Sequence, residues 1–410
     1  MQHLKYWVWL SNMGGVGAVT ALKLLNHFGD AEKVFFADEK QYRQIQDVRP
    51  SDIPALMNKN LDRANTILAD CEKLGCHVLT LFDEEYPERL RNIYNPPVII
   101  YIKGNLPTID SEPIVGVVGT RNCTAYGQGA AESISYKLAC SGIIVATGLA
   151  KGIDSAAARG ALRARRHGHI IGVIGSGHGI VYPPENADLF DDVENYGAII
   201  SEYPPYTPAA KKHFPARNRI ISGISIGLAV IEAPKRSGAL ITAAMALEQD
   251  RDVFTLPGNV DEKSCEGSNL LLRDGAIAIL SAEDIISEYM ELFPSKIKID
   301  AVENKPNAEP VNMFGKPGLQ ASSYKIKSRE NKKEIDNTTQ VEYIDVEEII
   351  GALDGDERIV AQIISSERMH IDDIILKAEL EAARVLAAIT LLEIKGSIFS
   401  SSGKVYSLLP

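Results

Sequence analysis

Apolar residues along this chain fall into distinct regimes. From residue 1 to 105, Leu, Ile, Val and Phe recur at helical spacing between turns containing Asp, Asn and Pro, which predicts a small helical domain. From 106 to 290 the pattern changes to short apolar strands separated by segments long enough for crossover helices. The expected strands are Ile114 to Val118, Ile143 to Ala146, Ile170 to Ile174, Ala198 to Ser201, Gly227 to Ile231, Val253 to Leu256 and Ala276 to Leu280. Strands alternating with helices in this way predict an α/β domain built on a doubly wound parallel sheet. Residues 291–341 are dominated by Lys, Glu, Asn, Ser and Pro, the composition of a flexible linker. In the last stretch, 342–410, helices are expected at Glu357 to Ile364, Ile371 to Leu380 and Ala382 to Ile394. Two short strands around a Ser-rich turn complete the order of a winged-helix domain.

Composition narrows the classes. Of 410 residues, 45% are hydrophobic and 24% charged, as in ordinary globular proteins, which excludes collagen-like, wholly disordered and disulfide-scaffold chains. The longest uncharged apolar stretches, such as Val98 to Ile102, are strand-sized, and the first ten residues lack a secretory signal. A cytoplasmic protein that does not enter the membrane is expected. Five scattered cysteines are read as reduced thiols, because Cys71, Cys76 and His77 have no second ligand pair at zinc spacing, so no metal is expected. A net charge of -11 opposes nonspecific adhesion to nucleic acid by the whole surface, yet leaves a local basic groove open.

Candidate chemistry gathers at the predicted strand ends, where parallel sheets bind ligands. Gly119-Thr120-Arg121, the run from Gly148 through Lys151 to Asp154, and Gly175-Ser176-Gly177 each combine glycine with hydroxyl or basic side chains. Glycine lets a backbone approach an anion, and Arg121 offers a two-pronged cation, so three such loops point to phosphate binding. Neither G-x-G-x-x-G nor a phosphate-loop motif is present in a strand-to-helix turn, so no NAD, ATP or other cofactor is expected.

Basic residues are concentrated between 205 and 236: Lys211, Lys212, Arg217, Arg219, Lys235 and Arg236 against the single acid Glu232. There Phe214 and Asn218 are interleaved with the cations, a combination that suits single-stranded nucleic acid, with cations on phosphates and a ring on a base. The competing reading keeps Phe214 in the core and pairs the arginines with carboxylates. Ser237, Gly238 and Thr242 open a further helix that could complete an anion site. Arg159, Arg163 and Arg166 form a positive helix stripe read as a solvated face. Asp154, Glu202 and Glu232 are read as helix caps or arginine partners, since no His or Cys base is spaced to work with them. Met13 to Leu25 has the shape of a helix-hairpin-helix turn, with or without a bound phosphate. In the winged-helix region the third helix offers only Arg384 as a cation and the approach is acidic, leaving DNA reading and protein contact both open.

These motifs resemble the DNA processing protein A (DprA/Smf) family. Gly119-Thr120-Arg121 is similar to its Gly-Ser-Arg loop, and Gly148 to Asp154 to its G-x-A-x-G-I-D segment. Gly175-Ser176-Gly177 with Tyr182-Pro183 and Glu185-Asn186 matches another stretch, and Phe214 to Gly223 looks like F-P-x-R-N-R-I-I-S-G. Ser237 to Ala243, Pro257-Gly258 and Gly267-Ser268-Asn269 continue the match over about 110 to 282. Thr120 stands where Ser is usual, Ala158 where His is common and Ala239 where Ser is frequent. The resemblance implies an extended Rossmann-like domain between a helix-hairpin-helix (SAM-like) front domain and a winged-helix tail. It further implies a homodimer that binds single-stranded DNA and helps load a RecA-type recombinase in natural transformation, without an established catalytic reaction. The competing class is a phosphoribohydrolase-like enzyme on a related sheet, but Pro257-Gly258-Asn259-Val260-Asp261 departs from its P-G-G-x-G-T-x-x-E motif.

Overall fold

A computed structural model describes residues 3–298, apart from 15, 47, 166 and 167. In the tail it describes 353, 355–364, 369–378, 380–394, 398–401 and 405–408. Two compact units result, one within residues 1–308 and one within 309–410. Helices α1 (Leu4–Ser11), α2 (Ala18–Phe28), α3 (Ala31–Phe36), α4 (Glu39–Arg43), α5 (Ile53–Met57) and α6 (Asp62–Leu74) open the first unit. Gly17, extended, starts α2, and Gly29, left-handed at φ 80°, ends it; a side chain is strained in that region.

The chain then forms β1 (His77–Thr80), α7 (Glu88–Arg91) and β2 (Ile99–Gly104). The expectation of helices alone up to 105 is corrected here. The apolar run at Val98 to Ile102 is a strand, and it pairs antiparallel with both β1 and a strand of the central sheet. That sheet continues through β3 (Ile114–Val118), α8 (Ala125–Cys140), β4 (Ile144–Thr147), α9 (Ile153–Arg163), β5 (Ile170–Ile174), α10 (Ala187–Tyr196) and β6 (Ala198–Ser201). After α11 (His213–Ile224) come β7 (Gly227–Val230), α12 (Gly238–Glu248), β8 (Asp252–Thr255), α13 (Glu266–Arg273), β9 (Ile277–Ala278) and α14 (Ala282–Met290). All seven strands expected between 106 and 290 are present.

Strand order is β1-β2-β6-β5-β4-β3-β7-β8-β9, parallel from β6 to β9. Winding runs outward from β3 to β6 and then returns to β7, so β3 and β7 are neighbours across a switch point. Their carboxyl ends flank the crevice in which doubly wound sheets take ligands. Alternate residues of each strand bury against opposite faces. Val115 and Val117 join residues of α8, α9, α10 and α14, while Ile114 and Val118 join α11, α12 and the amino-terminal helices. The second of these cores is continuous from Tyr6 to Val253, so the front helices and the sheet share one interior.

Residues 291–298 do not behave as linker. Ile297 is buried against the sheet and the Lys298 amide donates to the Ser141 carbonyl at 2.9 Å. The rest of the expected linker lies outside the described residues.

In the tail unit, α15 (Gly355–Ile364), β10 (Met369–His370), α16 (Ile371–Ala378), α17 (Ala382–Ile394), β11 (Ile398–Ser401) and β12 (Val405–Leu408) give the expected winged-helix order. Val360, Ile374, Val385 and Leu392 form its core. Arg384 is clamped by Asp356 at 2.6 and 2.8 Å.

A fragment beginning at 106 lacks β1 and β2 and opens β6 as a raw edge above exposed core. Compared with residues 1–298 it should aggregate or melt roughly 10 °C lower or more, about 3 kcal/mol or more of stability in thermal denaturation. Equal melting temperatures would contradict the shared core.

Candidate nucleic-acid interface

The residues expected at the crevice are brought to the carboxyl ends of β3, β4, β5 and β7 and to the first turns of α11 and α12, where they divide into two groups. The larger group is held by the protein itself. Arg217 is 4% exposed; its Nη1 donates to the Gly148 carbonyl at 2.8 Å and to the Val173 carbonyl, tying the ends of β4 and β5 together. Asp154, also buried, faces it. Burial raises the Asp154 pKa against the opposing pull of Arg217 and of the Ala150 and Gly119 amides. Burial likewise lowers the Arg217 pKa to about 10, with Asp154 opposing. Arg219 makes a two-pronged pair with Glu202 at 2.7 and 2.9 Å and donates to the Asn95 carbonyl at 2.8 Å.

Against the expected phosphate contacts of Arg217 and Arg219, the fold sets its own acceptors: Arg217 is buried on strand-end carbonyls and Arg219, half-buried, is held by Glu202 and two carbonyls. Asn218 accepts from Arg217 Nε at 3.2 Å and donates to the Gly238 carbonyl at 3.3 Å, so it links α11 to α12. Ser237 caps α12 by accepting from the Ala239 amide at 3.2 Å, and Thr242 donates to the Gly238 carbonyl at 3.1 Å. Lys151 pairs with Glu185.

The glycines have the same explanation. A Cβ on Gly148 would lie 2.5 Å from Arg217 Nη2, and one on Gly175 would lie 3.1 Å from Phe214 Cδ1. On Gly119 it would meet the Glu232 carbonyl at 2.8 Å, and on Gly177 the Pro204 carbonyl at 1.9 Å. These positions are small because the protein's own groups lie against them. The loop amides are similarly engaged: Thr120 N donates to the Glu232 carbonyl at 2.7 Å, Asn122 N to Thr120 Oγ1 at 3.2 Å and Gly177 N to the Thr207 carbonyl at 2.9 Å. Ser176 donates its hydroxyl to the Ile180 carbonyl at 2.9 Å. Glu232 accepts from the amide and hydroxyl of Thr124, the N-cap of α8, and Glu202 holds Arg219, as read from the sequence for a carboxylate paired with an arginine.

The smaller group faces outward. Arg121 is exposed and its guanidinium carbon lies 4.9 Å from the centre of the Phe214 ring. Phe214 is half-buried, neither a core ring nor fully solvated, and Tyr182 lies beside it at 5.6 Å. Lys211 and Lys212, exposed, stand at the start of α11, which has no acidic residue in its first turn. Lys235 and Arg236 are exposed on the loop leaving β7. These two belong to the basic segment without being expected in the site, and the Tyr182 ring, 41% exposed, carries no signal of its own in the sequence. Of the helical arginine stripe, Arg163 pairs with Glu132 at 2.6 Å, Arg159 is exposed, and Arg166 lies outside the described residues.

The sequence profile described as DNA recombination-mediator protein A matches residues 77–290, just over half of the chain. This chain belongs to that family. A second profile, the DprA winged helix domain, matches 349–404. The chain is 40% identical to the DNA processing protein DprA of Bacillus subtilis (strain 168) over 225 residues, covering 55% of this chain and 75% of that protein. Against Protein Smf of Synechocystis sp. the identity is 37% over 286 residues, 69% of this chain and 71% of the relative. The X-ray structure of DprA from Streptococcus pneumoniae aligns with a TM-score of 0.57 at 33% identity, covering 69% of this chain and 97% of that one. Recombination-mediator membership agrees with the resemblance read from the loops. Among the described residues no helix is long and apolar enough to cross a membrane, and no cluster of three His, Cys, Asp or Glu could hold a metal.

Replacing Arg217 by Met removes the largest opposing charge beside the buried Asp154 carboxylate and leaves the Gly148 and Val173 carbonyls without their donor. The variant should lose about 3 to 5 kcal/mol in denaturant unfolding. Wild-type stability with weakened DNA binding would instead return Arg217 to the ligand surface.

Proposed function

We propose that this recombination mediator binds single-stranded DNA across the outer side of the crevice and passes it to a RecA-type recombinase during natural transformation. The observation that carries the reading is the half-buried Phe214 ring with the guanidinium carbon of exposed Arg121 over it at 4.9 Å and Lys211 and Lys212 close by in the chain. A half-exposed ring offers a face to a base, and exposed cations follow the phosphates on either side of it. No catalytic step is assigned to the site.

The strand-binding reading is tested with fluorescent oligonucleotides over a salt series. Arg121→Ala should weaken binding and flatten the log-log salt slope by roughly 0.7, the loss of one phosphate contact. Phe214→Ala should cost ~1 to 3 kcal/mol of binding with the slope nearly unchanged. Folded Arg121→Ala protein with wild-type affinity and slope would remove the crevice as the DNA site. Delivery to the recombinase is read with the same strands, as faster filament assembly when the protein is present; no acceleration would count against it.

The homodimer is assigned to the β9 edge. There the sheet ends, and Ile277 and Leu280 are 39% and 81% exposed. An open strand edge with apolar residues beside it suits pairing with a second copy. Leu280→Arg should shift sedimentation from dimer toward monomer at micromolar concentration. A wild-type chain that sediments as a monomer would contradict the assignment.

A further inference from the structure

Helix α8, 16 residues long, begins at the switch point between β3 and β7, the position at which a doubly wound sheet ordinarily offers a helix N-terminus to a phosphate. Here the chain fills that position. The Glu232 carboxylate, on a residue only 1% exposed, accepts from the Thr124 amide with both oxygens at 3.1 Å and from Thr124 Oγ1 at 2.9 Å. A Cβ on Gly127 would come within 1.9 Å of Glu232 Oε2, so the first turn of the helix is shaped around the carboxylate. Asp154 places a second buried carboxylate against the Gly119 amide of the same loop.

Thr124 is the N-cap of α8, its Oγ1 accepting from the Gly127 amide at 3.0 Å, and the Glu232 oxygens occupy the amide and hydroxyl of that cap, donors that a phosphate at a helix N-terminus would otherwise take. We propose that Glu232 is a built-in phosphate substitute that denies the switch-point crevice to inorganic phosphate and free nucleoside phosphates. The crevice is then left to a polymer recognised outside it, by the side chains of Arg121, Lys211, Lys212 and Phe214. Selectivity of this kind comes from a repulsive and occupying element set against the competitor, rather than from added contacts to the preferred ligand. The inference deepens the strand-binding reading and rests on it for its consequence, while phosphate occupancy itself is measured without DNA. The main-chain bond from Thr120 N to the Glu232 carbonyl, 2.7 Å, does not need the Glu232 side chain, so the loop keeps that tether when the carboxylate is removed.

The test compares the full chain with Glu232→Ala and Glu232→Gln. Each is melted in phosphate and in chloride at matched ionic strength, and phosphorus NMR line broadening is followed with inorganic phosphate and with AMP. Wild type should show neither a phosphate-dependent shift nor broadening. Glu232→Ala should melt lower in chloride, recover at least half of the loss in phosphate, and broaden both phosphorus signals. Glu232→Gln, which still fills the space, should not respond. The proposal is overturned if wild type responds as strongly as Glu232→Ala, if Gln responds like Ala, or if the Ala variant is indifferent to phosphate or stays unfolded in its presence. Oligonucleotide affinity, measured separately, reports on strand binding alone, so failure of one reading is distinguished from failure of the other.

Discussion

Arg217 reaches from α11 to main-chain carbonyls on two strands and faces the buried Asp154 carboxylate, and the neighbouring loops are arranged around that contact. A guanidinium taken out of water is tolerable only when its donors are satisfied and its charge is opposed. Those requirements fix the axial position and rotation of α11. With Arg217 turned inward against Gly148, Phe214 is carried to the rim against Gly175 and Arg219 to the half-buried pair with Glu202. One buried charge thus sets which residues of a basic segment face inward and which face solvent.

The consequence is a crevice whose outer rim presents exposed basic side chains and a half-buried ring, while several of its loop amides are engaged within the protein. Nucleotide-binding sheets keep loop amides and a helix N-terminus open for phosphate. In this protein the amides of Thr124, Thr120, Asn122 and Gly177 donate to Glu232, Thr120 and Thr207, and exposed cations and a half-buried ring lie at the surface. Mobile cations suit a polyanion whose phosphates need not sit in one place. A fixed amide cradle suits a single phosphate in one pose.

Much of this architecture is legible in the sequence because a parallel sheet buried on both faces writes each strand as an unbroken apolar run. Ile114 to Val118 and Ile170 to Ile174 are such runs, and their crossover spacing gives the topology class. β1 and β2 are less legible. They join the sheet antiparallel, without crossover helices, and β1 carries the exposed His77. At the site, the type of residue was readable while its direction was not. A glycine that admits a ligand and one that admits Arg217 look alike in sequence, and Arg217 and Arg219 differ only in which way a helix turns them. Tyr182 carried no signal of its own, since its nearness to Phe214 arises from a loop folding back across strand ends.

Amide hydrogen exchange, with and without a saturating single-stranded oligonucleotide, tests the central claim most directly. In the DNA-free protein the amides of Thr120, Thr124 and Gly177 should already be protected, and adding DNA should leave them nearly unchanged while exchange slows around 211–214. Rapid exchange at Thr120, Thr124 and Gly177 in the free protein, abolished by the oligonucleotide, would show that the loop amides hold the strand and would contradict the account.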